Sequence, residues 1–472
     1  TDGLPTKLEE RPLERWRARL EGRVAMERYD AYKDSGVEWI GEIPERWSVY
    51  PARYAFLEIR TKNTNGNITN ALKFFNGTIV PKTNFDAEAD DYVADTITNY
   101  TIVDPGTIMI NGLNLNYDLK SLRVGLVKET GVITSAYLAL WPDRSRILPE
   151  YATYLFKGYE TKMAFHNMGA GIRKTLGFKE FRQQPILLPT MEEQKAITSF
   201  LDSECARIDA VIEKTRASIE EYKKLKQSVI TQAVTRGIQP NRILKDSKVD
   251  WIGLVPKSWS ITKLKHYSRI RSGITLGKIY PIGTELIEYP YLRVANVQGN
   301  YTDITDIATI KVTQEDAEKY KLYDGELLMT EGGDRDKLGR GTVWHAEISP
   351  CLHQNHVFAL RTEVDCLLAE YVSYLTDSYV GRDYFDVTAN QSVHLASTNS
   401  TTILNFRIPC PPINEQKQIV NFLEKKTSEI DKLIQEKEHL LTELEAYKKT
   451  LIYEYVTGKK EVLCCLDQVR TK

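Results

Sequence analysis

The sequence predicts an α+β protein in which two α+β globes are separated by two long antiparallel helices that form a coiled coil. One unit is used twice along the chain, an internal pseudo-twofold repeat. Three observations predict it. A pair of sequence blocks occurs two times in the same order. Two stretches of about 44 residues place apolar residues at alternating steps of four and three, the spacing of a helix-pair seam. Between them lie short apolar runs bounded by turn residues, with shorter helical patterns, the mixture expected of layered α+β domains. At 472 residues the chain is also too long for one ordinary core.

The repeat sets the order of the parts. "KDSGVEWIGEIPERWSV" (33–49) returns as "KDSKVDWIGLVPKSWSI" (245–261), and "EEQKAITSFLDSECARID" (192–209) returns as "NEQKQIVNFLEKKTSEID" (414–431). The offset grows from 212 residues (Trp39 to Trp251) to 222 (Asp209 to Asp431), with "EYATYL" and "EYVSYL" at 220 between them. Insertions therefore distinguish the middles. Each unit is a variable block followed by a constant block, and a period this long is a duplicated domain rather than a solenoid.

The constant blocks read as helices. One seam runs Leu201, Cys205, Ile208, Ile212, Thr215, Ile219, Tyr222, Lys226, Val229, Ala233. The other runs Leu423, Thr427, Ile430, Ile434, Lys437, Leu441, Leu444, Lys448, Leu451, Tyr455. Polar breaks recur at Thr215 with Lys437 and at Lys226 with Lys448. Pro189 and Pro411-Pro412 precede the helices, Gly237 and Gly458 follow them, and Thr190 with Glu193 has capping-box spacing. At ~1.5 Å of rise per residue each rod is on the order of 65 Å long. Its apolar stripe needs a partner, and the nearest at hand is the other rod.

In the variable blocks, "GTIMIN", "RVGLV" and "AYLALW", then "ELLMT", "TVWHA" and "HVFALR", read as strands. "PEYATYLFKGYETKMAFHNM" and "LAEYVSYLTDSYVGRDYF" read as helices. The stretch "EGGDRDKLGRG" (331–341) falls between two strands and reads as a charged hairpin tip. It lacks the Lys-Ser/Thr pair of a nucleotide-phosphate loop.

Composition narrows the function. The net charge is −1, so a nucleic-acid partner requires a local basic surface. No apolar run reaches the roughly 18 residues of a membrane span. The polar start is unlike a secretory signal. Six cysteines without a CxxC pair suggest an intracellular chain with reduced thiols. Cys351, His353 and His356, with His345 nearby, raise a zinc site, but the first unit has no counterpart and no metal is expected. Pro142-Asp143 with Glu160 and Lys162 loosely matches a nuclease pattern, set aside because Glu160 falls late in a helix. No catalytic constellation stands out.

What remains is a recognition surface. Arg60, Lys62, Asn63, Asn111, Asn114, Asn116, Lys120 and Arg123 fall on loops of the first block. Arg271, Arg293, Asn296, Arg335, Lys337, Arg340, Gln354, Asn355, His356 and Gln391 do so in the second. Asn, Gln and Arg read base edges bidentately, while Lys and Arg hold phosphates. Related frames with different loop chemistry suit two readers of different sequences.

The doubled pattern "YKDSGVEWIGEIPERW … LPTMEEQKAI…FLD…ID" resembles the DNA-specificity subunit of type I restriction-modification systems, over about residues 27 to 460. "GGDRDKLGRG…CLHQNH" and "GIRKTLGFKEFRQQPILLP" resemble its target recognition domains, the latter adding Arg173 and Lys174 to the DNA-binding set. The resemblance implies target recognition domains at 27–189 and 238–411 and spacer helices at 190–237 and 412–458. An N-terminal extension (1–26) and a tail (459–472) flank them. It implies a non-catalytic cytoplasmic subunit that binds a bipartite double-stranded DNA target. It also implies two methyltransferase subunits and restriction subunits as partners, which would use S-adenosylmethionine, ATP and Mg2+. A coiled-coil scaffold without a DNA role and a self-contained nuclease are the alternatives.

Overall fold

The computed structural model describes residues 28–75, 77–82, 97–117, 122–167, 175–299, 301–333, 338–391 and 396–462. It contains mixed helices and strands, as an α+β protein should. The chain forms two compact units. One takes the residues up to Arg216 together with those from His439 onward, and the other is Ala217–Glu438.

The first unit contains β1 (Tyr32–Asp34), β2 (Glu42–Pro44), β3 (Ser48–Pro51), β4 (Phe56–Glu58), β5 (Ile108–Ile110), β6 (Val124–Leu126), β7 (Leu138–Pro142), helix α1 (Pro149–Thr161) and β8 (Pro185–Leu188). Its centre is an antiparallel sheet in the order β4-β7-β5-β6. Strands β5 and β7 are apolar almost throughout because both faces of the sheet are covered. Ile108, Ile110, Leu138 and Leu140 pack into the core with α1 residues Tyr151, Leu155 and Phe156. Met109 and Ala139, on the opposite face by the period of two, join Leu72, Ile79 and Val103. β1 pairs with β2, and β3 pairs with β8.

Helix α2 (Met191–Arg236) follows and enters the second unit. The second unit contains β9 (Leu244–Asp246), β10 (Leu254–Pro256), β11 (Ser260–Lys263), β12 (Ser268–Ser272), β13 (Leu327–Thr330), β14 (Gly341–Val343), β15 (Val357–Thr362), helix α3 (Ala369–Asp377), β16 (Arg407–Cys410) and the start of helix α4 (Ile413–Val456). Its main sheet has the order β12-β15-β13-β14. The alternation is the same: Leu327, Met329 and Leu360 face α3, while Leu328 and Ala359 face a separate core with Trp344. The strands expected from the six apolar runs are present, and β13 pairs antiparallel with β14; 334–337 of the expected hairpin tip lie outside the described residues.

Each domain is tied to the first turn of the helix that follows it. The predicted capping box is formed: Glu193 N donates to Thr190 Oγ1 (3.3 Å), and Thr190 N donates to Glu193 Oε2 (3.2 Å). The same carboxylate accepts from Trp47 Nε1 (3.1 Å) and Arg46. In the second unit Trp259 Nε1 donates to Glu415 (3.0 Å), which also pairs with Arg242. The next residue is a buried glutamine in both cases. Gln194 accepts from Leu148 N and donates to the carbonyls of Arg146 and Pro189. Gln416 accepts from Leu368 N and donates to those of Cys366 and Pro411.

The expected contiguous domains are not the compact units. Within the first unit, Leu201, Cys205, Ile208 and Ile212 of α2 share a core with Leu444, Leu451, Ile452 and Tyr455 of α4. Phe200 meets Tyr455, and Asp209 meets Lys448, so the two segments run antiparallel. Within the second unit Lys226 pairs with Asp431 (2.7 Å), the counterpart of the Lys448–Asp209 pair (2.6 Å). Two of the three lysines that break the seam, Lys226 and Lys448, are thus partnered across it. Thr215 and Thr427 instead donate back to the carbonyls of Val211 and Leu423.

Gln416 is fully buried and satisfies three backbone groups. Gln416→Leu keeps the volume and strands all three, so it should destabilise the second unit by about 3 kcal/mol. Guanidinium denaturation compared with wild type reads this out, and an unchanged midpoint would remove the glutamine from the account.

Candidate nucleic-acid interface

Strands β4 and β5 both pair antiparallel with β7, so they point the same way. The segments that follow them, 59–70 and 111–123, therefore leave from one end of the sheet. In the second unit β12 and β13 stand in the same relation to β15. There, segments 273–286 and 331–340 emerge beside the turn that precedes β15.

The asparagine-rich loop of the first unit is built on buried supports. Asn111 Oδ1 accepts from Leu113 N, Leu115 is buried, and Asn114 takes a positive φ of 51°, which asparagine tolerates. Asn114, Asn116 and Tyr117 are left exposed at the rim. Lys62 is exposed, and Arg60 is exposed and paired with Glu58. In the second unit the turn Gln354–Val357 fastens three segments together. Asn355 N donates to Ile274 O (3.0 Å), Glu331 N donates to His356 O (2.9 Å), and His356 Nδ1 lies 2.5 Å from Glu331 Oε2. Gln354 and Asn355 are half-buried there, with Asn355 Nδ2 3.3 Å from His356 Nε2.

Several residues expected to touch DNA do other work. Asn63 is buried, with its amide bonded to both the N–H and the carbonyl of Ile68. Asn296 is buried and caps its turn, accepting from Arg293 N and donating to the carbonyls of Asp303 and Asp306. Arg123 is 1% exposed, and its guanidinium donates to the carbonyls of Asn111 and Leu113, both at 2.8 Å. Arg271 pairs with the buried Glu326 and donates to the carbonyls of Lys319 and Lys321. For Asn63, Asn296 and Arg123 the reason is common: a loop bonded to no sheet neighbour needs its carbonyls and N–H groups satisfied from within. Arg271, expected on a loop, lies in strand β12 opposite Ala359 and closes the end of the helix Gln314–Tyr320 instead. Arg293 lies on Asp306 and is partly exposed. Arg340 is 3.9 Å from the mostly buried Asp377. Lys120, Arg173, Lys174, Arg335 and Lys337 lie outside the described residues, as does the side chain of Gln391.

Sequence reasoning missed the acids that anchor these arginines. Glu160 Oε1 accepts from Arg123 N, and Asp377 takes Gln227 Nε2 and Arg382 as well as Arg340. A signal was available: Arg123 and Arg340 each stand just before an apolar strand, in "RVGLV" and "RGTVW". Burial pushes the Glu160 carboxyl up to about 7, against the bond from Arg123 N and the charges of Lys157, Arg123 and Lys449. The nuclease pattern is not assembled, since Asp143 is exposed and bonded to Ser145 and Arg146. Nor does the cysteine–histidine set converge: His353 bonds Val357 O, and burial pulls its ring down to about 4. Among the described residues no cluster of three or more potential metal ligands is found. No described helix is long and apolar enough to cross a membrane.

Two antiparallel sheets of like order, each with a loop set at one end and a long helix behind, define a class of paired α+β domains. Residues 256–445 match the type I restriction modification DNA specificity domain. The MjaX type I restriction enzyme specificity subunit of Methanocaldococcus jannaschii is 29% identical over 185 residues, 39% of this chain and 42% of that one. The MjaVIII specificity subunit of the same organism is 23% identical over 380 residues, 78% of this chain and 82% of that one. The chain thus spans under half of the first relative and most of the second. A solved chain described under complex assembly and conformational transition of the type I R-M system has a TM-score of 0.63 at 14% identity. That match covers 88% of this chain and 98% of that one, and it shows the same fold. These matches bear out the resemblance: residues 256–445 match the DNA specificity domain of type I restriction modification systems, and the chain is similar to their specificity subunits.

Two outcomes follow for this surface. Glu160 is raised when folded, so the folded state holds its proton more tightly. The stability it contributes is full below its ordinary value of 4.5 and is lost as pH rises through about 7. Glu160→Gln should therefore flatten the pH dependence of melting between pH 5 and 7.5 and raise the melting temperature at pH 8. Equal melting of variant and wild type at pH 8 would contradict the burial argument. Asn114→Gly, which keeps the positive φ, with Asn116→Ala should change melting little and weaken duplex binding at least tenfold.

Proposed function

We propose that the chain is the sequence-specific DNA-binding subunit of a type I restriction-modification complex, recognising a bipartite double-stranded target. The observation that carries this reading is the pair of like-ordered sheets whose loop ends differ in chemistry. The first is rich in asparagine, the second in Gln, Asn, His and basic residues. In this reading the target recognition domains are 27–189 and 238–411, each reading one half-site. Helices 190–237 and 412–458 are the spacer, an antiparallel coiled coil within an internal pseudo-twofold repeat. The repeated Trp–Glu, buried-glutamine and Lys–Asp bonds support it.

Arg60, Lys62, Asn114 and Asn116 contact the first half-site, with Lys120, Arg173 and Lys174. Arg293, Arg335, Lys337, Gln354, Asn355, His356 and Gln391 contact the second. Asn111, Arg123 and Arg340 position these contacts. The chain works in the cytoplasm as a non-catalytic subunit. Two methyltransferase subunits dock on it and restriction subunits join them. Those partners supply the chemistry, with S-adenosylmethionine, ATP and Mg2+.

Phosphate contacts release counterions, so duplex affinity should fall steeply and linearly on a log–log plot between 50 and 200 mM salt. A scaffold without a DNA role would show no such slope. The spacer role has its own test. Seven residues inserted after Arg216 and seven after Glu438, keeping the heptad, add about 10.5 Å of helix, the length of about three base pairs. Methylome sequencing should find the gap between half-sites longer by about three base pairs with the half-sites unchanged. An unchanged gap with full methylation would mean that the helices do not set the distance.

A further inference from the structure

The second unit carries a loop that the reading above leaves unused. Residues 273–286 leave β12 at the end of the sheet where Thr330 hands over to the segment 331–340. The stem of the loop is fixed. Ile274 N donates to His353 O (2.9 Å), Ile274 O accepts from Asn355 N (3.0 Å) and Tyr291 Oη (3.2 Å), and Ser272 Oγ donates to Asn355 O (2.8 Å). The approach is close enough that a Cβ at Gly273 would lie 2.0 Å from His353 O. The middle is pinned as well. Lys278 Nζ and Tyr280 Oη both donate to one oxygen of the buried Asp316, at 2.6 and 2.5 Å. The tip is a type II turn, in which Thr284 N donates to Pro281 O (3.1 Å) and Gly283 takes a φ of +90°.

This ordered framework holds aliphatic side chains in water. Ile282, at the corner of the turn, is fully exposed, Ile279 is 93% exposed and Leu276 is more than half exposed. A single exposed aliphatic residue is ordinary, but three within seven residues of a pinned loop form a patch that calls for an occupant. Continuity decides which. The stem shares the Gln354–His356 turn with the surface assigned to the second half-site. DNA offers one prominent apolar group in its major groove, the C5-methyl of thymine.

We propose that 273–286 is a thymine-reading finger, in which Leu276, Ile279 and Ile282 pack against thymine methyl groups in the major groove of the half-site bound by the second unit. It rests on the DNA-specificity reading. The corresponding segment of the first unit, 59–70, carries Arg60, Lys62, Asn65 and Asn67, so the two half-sites are read by different means.

The test replaces thymine by deoxyuridine, which deletes only the methyl group. Anisotropy titrations use the full chain with a duplex carrying the bipartite site found by methylome sequencing, with the thymines of each half-site replaced in turn. Wild type should lose about fourfold in affinity per contacted methyl in one half-site only. Leu276→Ala with Ile279→Ala and Ile282→Ala should melt like wild type, bind the thymine duplex at least fourfold more weakly, and be indifferent to deoxyuridine in that half-site. Uracil sensitivity that survives the triple substitution overturns the proposal, and so do half-sites without thymine. Unchanged affinity of the variant for every duplex also overturns it and leaves a protein partner as the occupant. A wild type that fails to distinguish the site from a scrambled duplex sinks the specificity reading itself, a separate result.

Discussion

The placement of each candidate surface depends on one tie, between a domain and the first turn of the long helix that follows it. A helix start exposes N–H groups that need acceptors. Here the acceptors are recruited from a capping residue, and the glutamate three positions on is shared with the indole of Trp47. The second unit places Trp259 on Glu415 in the same way. Beside each glutamate a buried glutamine bonds the backbone just before α1 or α3. Tyr151 and Tyr371, on those helices, then bond carbonyls of the last strand and of a long helix: Leu187 and Val456 in one unit, Pro409 and Val234 in the other. Sheet, short helix and long helix are therefore held by directional bonds as well as by apolar packing. A loop at the far end of the sheet inherits that rigidity.

The loops themselves are stiffened by the residues one would first assign to DNA. Arg123 is the clearest case. Its five donors suit phosphate or guanine, yet the guanidinium is buried against two carbonyls of the loop it supports. Arg271 is likewise committed to Glu326 and two carbonyls. Base readout needs side chains held in place by other bonds, and the exposed Asn114 and Asn116 sit on the loop that Arg123 holds. On the proposed reading such a loop divides its polar residues into props and readers, which differ in burial.

That division explains what was legible in the sequence. The long helices and the capping box follow from local periodicity and spacing, and they are present. The strands were readable because β5, β7, β13 and β15 are covered on both faces and so appear as unbroken apolar runs. The compact units were not readable as contiguous blocks, because His439–Val456 completes the core of residues more than 200 positions earlier. Lys226 and Lys448 looked like flaws in the seam; each is matched by an aspartate on the other helix, a pairing that only the antiparallel register reveals. In the loops, residue type alone could not separate Asn63 and Asn296, which are structural, from Asn114, because all three have the same donors and acceptors.

The near-zero net charge constrains how such a protein could hold DNA. With 63 basic and 64 acidic residues, long-range attraction from the whole chain is negligible, so affinity has to be generated at the surface itself. Many of the cations near that surface are already paired, as Arg60 is with Glu58 and Arg293 with Asp306. Exposed pairs of this kind are worth little on their own and can exchange a carboxylate for a phosphate at small cost. On the proposed reading, contacts that do not depend on charge then matter more: amide side chains on base edges in the first unit, and aliphatic side chains on a bonded loop in the second. A surface made this way gains little from non-cognate DNA, whose phosphates are the same but whose base edges and methyl groups are misplaced. Weak bulk electrostatics would leave the choice of site to locally placed contacts, as the proposed role requires.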